Sequence, residues 1–173
     1  MLNRFVIFVM MIGGSILVVA QNRVYESPNR DLRAVIVIGK QHQRRVEVRT
    51  SRGTLLQTKR LAPQIYSGGE AVGHAEWSSD GNFFVFNTYN LGGHQPWHVP
   101  TYFYCVKDKR IHSLDALVGL ITSDFSLLGN TITTTRLKVG KEMANEPLTV
   151  TLPAIVPRRA EQIVGRERRE RVL

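Results

Sequence analysis

The chain has 173 residues, one cysteine and a formal net charge of +9 at pH 7, a length that fits one domain with a buried core. With Cys105 alone, an intrachain disulfide is excluded and stability has to come from packing. In a cytosolic protein such a charge would point to nucleic acid, because cationic side chains gain by releasing counterions from phosphates.

The amino-terminal residues redirect that reading. Residues 1–20 start with a cation at Arg4, run apolar from Phe5 to Met11, and leave through the small residues Val18, Val19 and Ala20. This is the layout of a secretory signal cleaved after Ala20. The competing reading is an uncleaved anchor. A spanning helix needs about 20 predominantly apolar residues, whereas Gly13, Gly14 and Ser15 interrupt this run and Gln21, Asn22 and Arg23 close it. Export to the periplasm or the extracellular space removes nucleic acid as an expected partner. It leaves lipid headgroups, anionic surface polymers, and envelope or extracellular proteins.

Residues 21–157 read as one β domain of three units. Ser27-Pro28-Asn29-Arg30 leads into the run Ala34 to Ile38, and Ser78-Ser79-Asp80-Gly81, 51 residues later, leads into Phe83 to Phe86. A fainter copy, Ser126-Leu127-Leu128-Gly129, follows after 48 residues and precedes Thr131 to Thr135. A period of about fifty residues belongs to propellers and other β arrays. The turns carry suitable chemistry, with Ser or Asp bonding its own backbone and Gly taking up a positive φ. The second half of each unit alternates. Arg45 to Arg49 turns through Ser51-Arg52-Gly53 into Thr54 to Leu56; Tyr102 to Val106 turns through Lys107 to Arg110 into Ile111 to Leu114; Leu148 to Leu152 alternates until Pro153 and Pro157. Period-two alternation with short polar connections means antiparallel hairpins, and three units predict about ten to twelve strands and little helix. The expected fold is all-β, with antiparallel blade-like sheets forming a partial or open propeller; a compact β-sandwich is the alternative.

Trp77-Ser78-Ser79-Asp80-Gly81-Asn82 followed by Phe83 to Phe86, with a hairpin such as Tyr102 to Leu114 after it, resembles the blade motif of bacterial Tol-type β-propeller repeats. In that family an aromatic residue and Ser-Pro-Asp-Gly open an apolar second strand. Here Ser79 replaces the proline of the second unit, the first keeps Pro28 but carries Arg30 in the glycine position, and the third retains Phe125, Ser126 and Gly129. The resemblance implies binding at a face or a central channel and brings no catalytic residue. Propellers close with about four to eight blades. Three units therefore imply an open stack or sandwich, association of copies through sheet edges, or part of a longer propeller.

Motifs that carry chemistry are few. There is no Gly-rich phosphate loop, no Gly-x-Ser-x-Gly elbow and no Cys-x-x-Cys pair, and no cofactor is expected. Cys105, in an aromatic-rich strand, reads as a small core residue. His74, Glu76, His94 and His98 offer three imidazoles and a carboxylate, a zinc-like set if the loop Asn90 to His98 folds back over the strand of Trp77. Gly92, Gly93 and Pro96 rule out the helix that would place His94 and His98 on one face. The same loop is the best place for ligand contact, through His94, Trp97 and His98. Trp77 itself is expected to be largely buried.

Lys40, Arg44, Arg45, Arg49, Arg52, Lys59 and Arg60 crowd one stretch with Glu47 as its only acid. They read as a solvated strand face and hairpin tip or, if the surface works, as an anion-binding patch through Arg44, Arg45, Arg49 and Arg52. Residues 158–173 form a basic tail in which Arg166 with Glu170 and Glu167 with Arg171 would support a short exposed helix. Together these features point to an exported, non-enzymatic binding or protein-interaction module. Two alternatives stand beside it: a metal-dependent hydrolase built on His74, Glu76, His94 and His98, and a structural envelope protein that associates with itself through sheet edges.

Overall fold

A computed structural model describes residues 22–39, 43–62, 69–92, 97–138 and 143–152. The signal-like segment, Lys40, His94 and the basic tail lie outside the described residues.

The described chain is all-β: eleven strands and one single-turn helix. Strands β1 (Arg23–Glu26), β2 (Leu32–Ile38), β3 (Arg44–Thr50) and β4 (Leu55–Arg60) form the first sheet. The second contains β5 (Glu70–Trp77), β6 (Phe83–Asn90), β7 (Thr101–Cys105) and β8 (Arg110–Ser113), and the third β9 (Ser126–Leu128), β10 (Thr131–Lys138) and β11 (Ala144–Thr151). Helix α1 (Asp115–Val118) lies between the second and third sheets in sequence. Every pair is antiparallel and joins consecutive strands, so each sheet is a simple meander. None of the three closes on itself.

The first two units share their turn in detail. Ser27 N–H donates to Leu32 O at 2.9 Å while its Oγ accepts from Leu32 N–H at 3.1 Å. Ser78 repeats both bonds with Phe83, at 2.8 and 3.0 Å. The third residue beyond the serine has positive φ in each, 58° at Arg30 and 71° at Gly81. Arg30 thus holds a conformation that a Cβ disfavours by about 1–2 kcal/mol, and the serine bonds keep it there. The third unit is built differently. Leu128 pairs with Thr131 across the two-residue turn Gly129-Asn130, with Gly129 at φ 60°, and Ser126 pairs with Thr133 instead of opening the turn.

Alternation sends successive side chains of the middle sheet to opposite faces, and both faces are covered. Phe84, Phe86 and Tyr104 pack against Ala34, Ile36, Val46 and Val48 of the first sheet. Phe83, Val85, Phe103 and Cys105 pack against Ile132, Leu152, Ile121 and Phe125 on the side of the third. The unbroken apolar run Phe83 to Phe86 is therefore a strand buried on both sides. Three open sheets are stacked face on face, and among the described residues no element packs over the outer faces of the first and third sheets.

Turns and aromatic side chains fasten the layers. The Asp80 carboxylate accepts from Ser78 Oγ at 2.6 Å within its own turn and from Asn130 Nδ2 at 2.6 Å in the turn of the third sheet. Partial burial works against its charge, but these bonds and two more from Asn82 hold it well below the usual carboxylate range. Trp77, expected to be largely buried, is half-buried at the end of β5. Its Nε1–H donates to Tyr25 O at 2.9 Å and its ring sits 5.2 Å from that of Phe84. Trp77→Ala should accordingly fall near the lower end of the roughly 3 to 5 kcal/mol typical of large buried aromatics. Trp97, 54% exposed, should cost under about 0.5 kcal/mol. Denaturant midpoints of the two variants test this, and equal shifts would contradict it.

Candidate functional site

In the first sheet Ala34, Ile36, Val46 and Val48 point to the core, so period two puts Arg33, Val35, Val37, Arg45, Glu47 and Arg49 on the outer face. Glu47 sits at the centre of that face, opposite Val35 on one side and Thr58 on the other. Arg45 Nε–H donates to one carboxylate oxygen at 2.6 Å; Arg49 donates to the other through Nε at 2.7 Å and Nη2 at 2.7 Å. The clamp covers the acid, whose side chain is only 6% exposed while those of Arg45 and Arg49 are 38% and 31%. Burial works against the Glu47 charge, but the two guanidinium groups outweigh it and keep its carboxyl below the ordinary range. Arg49 also donates through Nη1 to Gly53 O at 2.7 Å, tying the strand to its own hairpin turn.

Only two of the four expected arginines share this face. Arg44 has the parity of Val46 and Val48 and belongs to the opposite side, and Arg52 is exposed in the turn after β3. Arg33, which a view of residues crowded along the chain passed over, stands directly opposite Arg49, and Arg60 of the crowded stretch stands opposite Arg45. The alternation Leu32-Arg33-Ala34-Val35 held the signal for Arg33. Lys59, also on the core side, lies over the Tyr102 ring at 4.4 Å from its centroid.

The histidines divide among different carboxylates. His98 Nε2 is 2.8 Å from Asp115 Oδ1, which also accepts from Ile121 N–H at 3.0 Å, while Oδ2 accepts from Thr101 N–H at 2.9 Å. Asp115 thus pins the end of the loop, the start of α1 and the approach to the third sheet at one point. The exposed Trp97 stacks on His98, their centroids 5.7 Å apart. His74 instead lies at a bulge in β5, stacked on Phe125 at 4.4 Å, with Nδ1 3.2 Å from Asp124 and Nε2 3.6 Å from Glu76. Asn87 builds that bulge: its Oδ1 accepts from His74 N–H at 2.9 Å and its Nδ2 donates to Asp124 at 2.7 Å. A Cβ at Gly73 would stand 2.6 Å from Asn87 Oδ1, so any larger residue there would have to push the Asn87 amide away from His74 and Asp124.

Because the two ring nitrogens of His74 point at different acids, His74, Glu76 and Asp124 do not converge on one point. Among the described residues no group of three His, Cys, Asp or Glu side chains is placed to hold a metal ion, and His94 lies outside them. Cys105 is 2% exposed and burial pushes its thiol up, the reverse of what an attacking thiolate needs. No protein-family model matches the chain, and no curated protein sequence matches it.

Proposed function

We propose that the chain is an exported, non-enzymatic β-repeat protein acting as a binding module in the cell envelope or extracellular space. The observation that carries this reading is the outer face of the first sheet, where, among the described residues, no element packs over the arginines and Glu47 holds two of them, Arg45 and Arg49, by hydrogen bonds. Side chains ordered before contact lose less entropy on binding, so such a surface suits a partner of opposite charge: an anionic surface polymer, lipid headgroups or an acidic face of an envelope protein. The order of the strands and the paired turns of the first two units support kinship with propeller-type repeats, and the layout of residues 1–20 supports export.

Two measurements test it. Intact mass of the extracytoplasmic protein should place the mature amino terminus at Gln21 or within a residue or two, and recovery of the full-length chain from the cytosol would contradict export. Binding to an acidic polymer should saturate at low salt and weaken steeply as salt rises, since exposed charges are screened within about 10 Å at 0.1 M. Absence of saturable binding would leave the face merely solvated.

A further inference from the structure

We propose that Arg33, Arg49 and Arg52 form a subsite for a tetrahedral oxyanion, a phosphate group carried along an anionic polymer. The proposal rests on the reading of the chain as a binding module and names the chemistry that its first sheet would grip.

Arg33 on β2 and Arg49 on β3 are directly opposed on the outer face, where Cβ atoms stand about 4.5–5.5 Å apart and like charges repel. Arg49 is compensated by Glu47. Arg33 is not: among the described residues it makes no side-chain hydrogen bond and no ion pair, and its Nε is buried without an acceptor. Glu26 stands opposite it on β1 but forms no ion pair with it. The two terminal nitrogens of Arg33 are not buried and also lack a protein acceptor among the described residues, so they can donate to one supplied from outside.

The guanidinium groups of Arg33 and Arg49 converge on the turn after β3. Nη2 of Arg33 lies 3.5 Å from where a Cβ on Gly53 would stand, and Nη1 of Arg49 donates to the Gly53 carbonyl at 2.7 Å. Gly53 has φ 94° and no side chain to fill the space, and Arg52 precedes it in the same exposed turn. A carboxylate presents two oxygens in one plane and is satisfied by a single guanidinium fork. A phosphate presents oxygens out of plane and can accept from guanidinium groups on two strands together, as Arg33 and Arg49 offer at Gly53, with Arg52 adjacent in the chain as a third donor. Arg33 contributes the N–H donors of its two terminal nitrogens in that role.

The test is a titration of the ¹⁵N-labelled full chain with inorganic phosphate, followed at the arginine Nε–H resonances, with acetate at matched ionic strength as control. Saturable shifts at Arg33 and Arg49 are expected with phosphate, and affinity for acetate at least about tenfold weaker. Arg33→Gln should weaken phosphate binding by about tenfold or more, the worth of one charge-assisted donor set. Arg60→Gln, on the same face but opposite Arg45, should change it less than about twofold, and Arg33→Lys should fall between, since it keeps the charge and loses the fork. Polyphosphate should compete with inorganic phosphate at this site. Equal, non-saturating shifts with both anions, or an unchanged affinity in Arg33→Gln, would overturn the site. Sensitivity of phosphatidylglycerol vesicles to Arg33→Gln without any binding of polyphosphate would overturn the polymer as the source. Failure of the site with export and polymer binding intact would leave the broader function standing, whereas a cytosolic full-length chain would strike that function and not the phosphate titration.

Discussion

Phe84→Ala is expected to lower the free energy of unfolding by about 3 to 5 kcal/mol, the range for removing a buried phenyl ring from a core that relaxes only in part. Phe84 is fully buried and its ring centroid lies 5.2 Å from Trp77, 5.7 Å from Tyr25 and 5.8 Å from Phe86. These partners come from β1, β5 and β6, so the truncation opens a cavity at the seam between the first and second sheets. Phe103, fully buried on the opposite face of the same sheet, packs toward the third. Because the middle sheet serves both interfaces, Phe84→Ala and Phe103→Ala should each lower one shared, cooperative transition in urea. Separate transitions for the two variants would show that the layers unfold independently, and a loss under about 1 kcal/mol at Phe84 would contradict the stacked core.

The double substitution Arg45→Gln, Arg49→Gln should cost about 2 to 3 kcal/mol at pH 7. That is less than the roughly 3 to 5 kcal/mol for stranding a fully buried charge, because the two guanidinium groups are about one third exposed and water screens them. The pH dependence should reverse as well. In the native protein Glu47 has a folded pKa below its unfolded value, so its contribution is present above about pH 4.3 and declines as the pH falls toward the lowered folded value. Without the arginines, burial alone acts on Glu47 and raises its folded pKa. The carboxyl then favours the folded state when protonated, and stability is lost as the pH rises through that raised value. Urea midpoints from pH 3 to 8 check the sign, and parallel profiles for the two proteins would contradict the clamp. Replacing these arginines to test ligand binding would therefore confound affinity with stability, whereas Arg33 has no protein partner among the described residues to lose.

Strand positions, the hairpin turns and the all-β class were legible along the chain, because each depends on neighbours a few residues apart. Apolar alternation in Ala34 to Ile38 and Arg45 to Arg49 marks a half-buried strand wherever it occurs, and the turn residues after Ser27 and Ser78 mark the turns, although the positive φ of Arg30 is not written in its residue type. The third unit was harder to read, since Ser126 and Gly129 are compatible with either a four-residue or a two-residue turn, and the pairing of Leu128 with Thr131 settled it.

The membership of the surface was a different matter. Crowding along the chain grouped Arg44 with Arg45 and Arg49, but a strand sends adjacent residues to opposite faces, and only the packing of Val46 and Val48 against Phe84 and Tyr104 decides which face is outside. Arg33 joined Arg49 through the register of β2 with β3. His98 was drawn to Asp115, 17 residues away, and His74 to Asp124, 50 residues away. Local pattern therefore specified the strands and their turns, and the stacking of three sheets specified which charges meet. The physical reason is that a side chain's face is a local property of the backbone, whereas its partner depends on register and layer order, set by contacts between residues distant in the chain.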